Sequence, residues 1–165
     1  MQDAMFRAVF MSTKLLGLWG IVGLLLALGC SSTLMNQPVH SEARGWEVTV
    51  REVSDGPNSL NVEMRRYVPA DGDRFIHVFL TLKNASGGKR EWNWPRCDLD
   101  HGSESVVPTL DLYDTLILAP VGAVESVDAG DKIERRIVFA FPQDGPLPTR
   151  LRCGEVVVPL ALKTG

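Results

Sequence analysis

The chain has 165 residues, of which 45% are hydrophobic and 22% are charged, and its formal net charge at pH 7 is −3. This size and composition fit one globular domain with its own hydrophobic core. The 17 Lys and Arg residues form no dense cluster. A nucleic-acid partner is therefore not expected, because binding to phosphates requires a basic patch.

An uncharged run near the start of the chain predicts a bacterial export signal. Residues 15–29 are all apolar or small, and Arg7 and Lys14 precede them. A basic start, an apolar centre and a small residue before the cleavage point are typical of such signals. Fifteen residues fall short of the roughly 20 that a transmembrane helix needs. We therefore expect residues 1–29 to be a helical signal peptide.

The end of this run, Ala27-Leu28-Gly29-Cys30, resembles a lipobox. It predicts cleavage before Cys30 and acylation of that cysteine, so that membrane lipid becomes a partner of the protein. An uncleaved anchor and a plain secretory signal are the alternatives. The expected location is the bacterial cell envelope. In a Gram-negative cell, the absence of Asp at position 31 favours the outer membrane.

The segment after Cys30 is polar, contains Pro38 and lacks periodicity. We expect residues 30–44 to be the lipidated cysteine followed by a flexible tether, whose coil would span roughly 20 Å. The domain would then occupy residues 45–165.

Alternating apolar and polar residues predict short strands along the whole domain. Residues 74–83 give the clearest pattern, with apolar side chains on both faces, as expected for a central strand or for one whose outer face is partly covered. No segment beyond the signal shows helical periodicity. The sequence therefore predicts an all-β fold, an antiparallel β-sandwich of about seven strands. Further strands are expected at residues 45–53, 89–94 and 132–141, and one or two closing strands at 151–162. Short strands are expected on either side of a polar turn within 97–107. Residues 60–68 are ambiguous between an edge strand and a loop, and residues 108–127 contain two apolar runs separated by Pro120 and Gly122.

Three cysteines are present, and two remain if Cys30 is acylated. An even pair in an exported protein predicts one disulfide, between Cys97 and Cys153. The alternative is a pair of free, buried thiols.

Two aromatic residues are candidates for ligand binding. Trp92 and Trp94 lie two positions apart on a predicted strand, so both indoles would project from one face. They would form a platform for a sugar or a peptide, or else fill the core, where large aromatic side chains usually bury their area.

No motif predicts catalysis, a cofactor or a metal. The three histidines, His40, His77 and His101, have no nucleophile at a recognisable spacing. His77 lies between two phenylalanines and is expected to be structural. Residues 98–104 place three acidic residues around Gly102. These are too few oxygen ligands for calcium, and they are also common hairpin residues.

Several short motifs occur in an order that resembles a known family. They are Gly-Trp-Glu-Val-Thr-Val at 45–50, Phe-Ile-His-Val at 75–78 with Leu-Lys-Asn at 82–84, Asp-His-Gly at 100–102, Ala-Gly-Asp-Lys at 129–132 and Val-Phe-Ala-Phe-Pro at 138–142. This order resembles the immunoglobulin-like extracellular domain of uncharacterised bacterial lipoproteins. The resemblance implies an immunoglobulin-like sandwich over residues 45–165 and no assigned catalytic residues.

The function expected from the sequence is therefore a lipid-anchored, non-enzymatic interaction module that contacts another envelope protein. The alternative is a small-ligand or carbohydrate binder that uses Trp92 and Trp94. Burial of the two indoles would favour the first function, and a groove lined by both would favour the second.

Overall fold

The structure is a computed structural model that describes residues 32–56, 59–62, 65–101, 104–106, 110–114 and 121–163. The predicted signal peptide and Cys30 lie outside these residues. No helix in the described ranges is long and apolar enough to span a bilayer. The strands are β1 (Ser32–Met35), β2 (Val39–Ala43), β3 (Trp46–Asp55), β4 (Leu60–Val62), β5 (Arg65–Tyr67), β6 (Asp73–Asn84), β7 (Arg90–Asn93), β8 (Cys97–His101), β9 (Glu104–Val106), β10 (Leu110–Asp114), β11 (Val124–Val127), β12 (Lys132–Pro142), β13 (Arg150–Cys153) and β14 (Val156–Pro159).

The largest sheet has the strand order β1-β3-β6-β12-β10, and all of its pairings are antiparallel. β6 and β12 pair along their whole length, from Lys83 opposite Lys132 to Asp73 opposite Pro142. β1 and β2 share the other edge of β3, with β2 beside its first half and β1 beside its end. The long alternating patterns of β3, β6 and β12 thus form the centre of this sheet, as the sequence predicts.

A second layer covers one face of the large sheet and completes the sandwich. It contains the sheet β14-β13-β8-β9 and the pair β11-β7. Both layers contribute to one continuous core. From the large sheet come side chains such as Val78, Leu80 and Phe139, and from the second layer Leu99 and Leu151, all with no exposed area. The predicted all-β sandwich is confirmed. The described residues form more than seven strands, and several of them, such as β4, β5 and β9, have only three residues each.

The opposite face of the large sheet is covered at one end. Phe75 of β6 and Val138 of β12 point to this side and pack with Leu60 from the β4–β5 hairpin. Phe75 is 1% exposed, and the hairpin accounts for this burial outside the main core. The sequence-based expectation of a partly covered outer face for β6 is therefore confirmed.

The predicted flexible tether is wrong for most of its length. Residues 32–35 and 39–43 are strands β1 and β2, both hydrogen-bonded to β3. Leu34 and Met35 are each 5% exposed and belong to the main core. Burial of two large side chains and pairing with an existing strand offset the entropy that a free tether would keep.

A two-residue turn fixes how β2 returns into β3. Ala43 is paired with Trp46, so only Arg44 and Gly45 lie in the turn, with φ values of 48° and 78°. A type I′ hairpin requires positive φ at both central positions, and glycine adopts this region without strain. The turn brings Arg44 to the end of the sandwich where β3 begins.

A buried asparagine organises the same end of the molecule. Asn84 has no exposed area, and its side-chain amide donates hydrogen bonds to the carbonyls of Gly88 (2.8 Å) and Val127 (2.9 Å). Its Oδ1 accepts hydrogen bonds from the backbone N–H and hydroxyl of Ser86 (3.0 and 2.6 Å). Because all these groups are satisfied, the turn before β7 is tied to β11, and the start of β7 is held in place.

Candidate functional site

The structure joins Cys97 and Cys153 in a disulfide, as predicted from the sequence. The two residues lie directly opposite each other on β8 and β13, with Cα atoms 3.9 Å apart. Their exposed fractions are 0% and 1%, so the bridge is part of the core. It therefore links neighbouring strands of one sheet rather than the two layers of the sandwich.

The two candidate ligand-binding tryptophans are core residues. Trp92 is 7% exposed and Trp94 is 2% exposed, and their ring centroids are 5.8 Å apart in an edge-to-face arrangement. Trp92 also packs edge-to-face against Trp46, at 4.9 Å between centroids. A sugar platform needs an exposed ring face, so this arrangement favours the core interpretation over the platform.

Trp94 also takes part in a buried polar cluster. Its Nε1–H donates a hydrogen bond to Glu125 Oε2 (2.7 Å), and Arg135 Nε donates to the same oxygen (2.8 Å). Arg135 also pairs with Glu125 Oε1 through Nη2 and donates to the backbone carbonyl of Glu134 from Nη1 (2.7 Å). Only 10% of the Arg135 side chain is exposed. The Glu125 carboxylate therefore neutralises the positive charge of Arg135, which lies on the core-facing side of β12.

A groove of about 240 Å³ opens at the end of the sandwich where β3 begins. Three arginines from separate segments line it: Arg44 from the β2–β3 turn, Arg90 from the start of β7, and Arg96 from the short turn before β8. We call it the arginine groove. Trp46 and Trp92 contribute to its wall.

Each arginine of the groove is held differently. Arg90 lies over the ring of Trp46, at 4.9 Å from the centroid, and its Nη1 donates a hydrogen bond to the Arg44 carbonyl (2.6 Å). Arg44 forms an ion pair with Glu155 in which both side chains are more than half exposed. Arg96 is exposed and has no ion-pair partner within the described part of the chain. Of the three arginines, Arg90 is therefore held in one orientation, and Arg96 has no ion-pair partner among the described residues.

His77 occupies a second unusual position, on the outer face of β6. It is 3% exposed, and its Nε2 has no hydrogen-bond partner within the described residues. Gly56 packs so closely that a Cβ there would overlap the imidazole ring. Burial, followed by the nearby positive charge of Arg136, lowers the pKa of His77 to about 4. The expected structural role is consistent with this packing.

The pKa of His77 predicts that acid destabilises the fold. Because the ring has a pKa of about 4 when folded and 6.5 when free, the unfolded chain binds more protons between these values. The contribution is complete above pH 6.5 and is lost as the pH falls towards 4. The loss of stability relative to pH 7 amounts to about 2 kcal/mol at pH 5. Urea unfolding at pH 7 and pH 5 measures it.

A His77→Gln variant is the control, since its side chain does not titrate. We expect its free energy of unfolding to fall less between pH 7 and pH 5 than that of the wild type, by about the 2 kcal/mol due to His77. Equal losses in the two proteins would contradict the assignment.

Asp98 and Asp100, the two acidic residues of the 98–104 segment whose side chains the structure describes, are engaged by arginines. Asp98 forms an ion pair with Arg152 (3.0 Å), and Asp100 pairs with Arg150. These pairs cross from β8 to the neighbouring strand β13. No group of three metal-ligating side chains occurs among the residues that the structure describes. The carboxylates of Asp98 and Asp100 thus serve strand pairing.

The structure brings together some of the residues that the sequence singles out, but it points to a different candidate binding site. Cys97 and Cys153 meet as predicted, and Trp92 and Trp94 lie side by side but inside the core. His40 is exposed and contacts Thr49, with 3.1 Å between Nδ1 and Oγ1. The arginine groove was missed, because its three charged residues come from separate turns and strands with no motif to join them.

Comparison with known proteins bears on the fold. No protein-family profile and no curated protein matches the chain. Among solved structures, the chain is similar to the crystal structure of a functionally unknown protein from Listeria monocytogenes EGD-e, with a TM-score of 0.52 and 15% sequence identity. The similarity covers 82% of this chain and 90% of that chain. At this identity the likeness supports the all-β architecture alone.

Proposed function

We propose that this protein is lipid-anchored in the bacterial cell envelope and displays a non-enzymatic, immunoglobulin-like interaction module. The observation that carries the proposal is the position of the lipobox cysteine. Cys30 precedes Ser32, the first residue of β1, by two residues. Two peptide units reach at most about 8 Å, so an acyl chain on Cys30 would hold the domain close to the membrane surface.

The direction of β3 determines which end of an anchored domain would face the membrane. Ser32 is paired with Asp55 at the end of β3, whereas Trp46 begins the strand beside the arginine groove. Ten residues of strand at about 3.3 Å each separate these ends by about 30 Å. An anchored domain would therefore display the arginine groove away from the lipid, towards a partner protein of the envelope. In a Gram-negative cell the membrane would be the outer one.

Two features of the described residues support an exported interaction module. The disulfide between Cys97 and Cys153 suits an oxidising compartment. A sandwich with exposed edges and end loops suits recognition by loops or by strand addition.

Fatty-acid labelling in a bacterial host tests the anchor. We expect the wild-type protein to incorporate the label and to sediment with membranes. Cys30→Ala should abolish labelling, because no other residue would carry the acyl group, and should leave the protein released or unprocessed.

A Cys97→Ala/Cys153→Ala double variant is the matched control, since it removes two cysteines and keeps Cys30. It should be labelled like the wild type. Unchanged acylation of the Cys30→Ala protein would overturn the proposed function.

A further inference from the structure

We propose that the arginine groove is a binding site for an anionic ligand that bears a carboxylate or a phosphate group. The inference goes beyond membrane anchoring and does not depend on acylation of Cys30. Three arginines line one concavity on a chain whose net charge is −3. Guanidinium groups match carboxylates and phosphates because their planar N–H donors can form two parallel hydrogen bonds.

The groove is already organised before a ligand arrives. The cation–π contact with Trp46 and the hydrogen bond to the Arg44 carbonyl restrict the Arg90 side chain. The turn that holds Arg44 has a backbone fixed by hairpin pairing. Restricting these groups in advance lowers the entropy that binding would otherwise cost.

Glu155 shows which chemistry the groove accepts. Its carboxylate pairs with Arg44 at the rim, where both side chains are largely exposed. Exposed ion pairs contribute little free energy, so an incoming anion can replace this carboxylate. Glu155 is therefore an internal competitor of the ligand, and Arg96 is a free cation beside it within the described residues.

The volume of the arginine groove limits the size of its ligand. A groove of about 240 Å³ accommodates a single small acid or one anionic group of a larger ligand. Trp46 and Trp92 also line the groove but are only 6% and 7% exposed, so their indoles would report on a bound anion rather than bind an apolar portion of it. Glu91 also lines the groove and disfavours ligands with several closely spaced negative charges.

Titration of the full-length protein in detergent, labelled with ¹⁵N in its tryptophans, tests the site. Sodium phosphate and sodium acetate are the two probes, each compared with sodium chloride at the same ionic strength. We expect the indole N–H signals of Trp46 and Trp92 to move saturably with at least one probe and not with chloride. The probe that saturates at the lower concentration identifies the preferred group, a phosphate or a carboxylate.

Variants assign the effect to the groove. Arg96→Ala removes an exposed side chain and should weaken binding about tenfold without altering the fold, since a charge-assisted contact is lost. Glu155→Gln removes the competitor and should tighten binding about threefold. Arg66→Ala, which removes an exposed arginine of β5, is the matched control and should bind like the wild type.

The outcomes separate this site from the membrane anchor. Cys30→Ala should retain binding, whether or not acylation is lost. The proposal is overturned if neither probe shifts the indole signals beyond the effect of chloride, or if Arg96→Ala binds as tightly as the wild type.

Discussion

Reduction of the disulfide between Cys97 and Cys153 should lower the free energy of unfolding by about 4 kcal/mol. The bridge closes a loop with a sequence separation of 56, and the chain-entropy relation for such a loop gives this value. Small domains are stable by only about 5–15 kcal/mol, so the loss is a large fraction of the total. We expect the midpoint of thermal unfolding to fall by roughly 10–20 °C.

Calorimetry with and without a reductant measures the effect of the bridge. A Cys97→Ala/Cys153→Ala variant is the control, because its midpoint should not change when reductant is added. Mass mapping under non-reducing conditions should recover the two cysteine peptides as one species. Equal midpoints for the oxidised and reduced wild type, or two free thiols in protein purified from the envelope, would contradict the prediction.

The central strands could be predicted from the sequence because their environment imposes a simple pattern. β3 alternates a buried face with a half-exposed one over Trp46–Val50, and β12 buries one side from Ile137 to Phe141. β6 has apolar residues on both faces, and its outer face is in fact covered at one end. A period of two is readable wherever the two faces differ in burial.

The strands that precede β3 could not be predicted in this way. β1 buries two consecutive residues, Leu34 and Met35, next to a shift of register in its pairing with β3. β2 lies at an edge, and its inner positions are the mixed set Val39, Ser41 and Ala43, none fully buried. Edge strands have weak patterns, and Pro38 between these two favours a loop interpretation.

The candidate site depends on contacts between residues that are distant in the sequence. Arg44 and Arg90 are joined by a hydrogen bond across 46 positions. Nothing in the local sequence of either residue indicates the other. Trp92 and Trp94 are candidates from the sequence because two large aromatic side chains occur close together. Their burial depends on how β7 packs against β3, which only the tertiary structure shows.

The charge at Arg135 illustrates a signal that the sequence did contain. Arg135 lies on the same side of β12 as Ile133 and Ile137, so alternation alone assigns a charge to the core face. A charge there requires a partner, because burial of an uncompensated ion is costly. The partner, Glu125, lies on β11, which belongs to the other layer of the sandwich.

Loss of Arg135 should therefore destabilise the fold strongly. Arg135→Met removes the cation that binds both carboxylate oxygens of Glu125 and leaves that largely buried group with the indole N–H of Trp94. Breaking one side of a buried ion pair costs about 3–5 kcal/mol. Urea denaturation should show this loss as a lower midpoint with an unchanged slope.

Two further variants determine whether the cost comes from the unpaired charge. Adding Glu125→Gln to Arg135→Met removes the stranded charge and keeps an acceptor for Trp94, so the double variant should be more stable than Arg135→Met alone. Lys89→Met is the surface control. It breaks an exposed pair with Asp128 and should cost no more than about 1 kcal/mol. If Arg135→Met were as mild as Lys89→Met, or if the double variant were no more stable than Arg135→Met alone, the buried pair would not act as one unit.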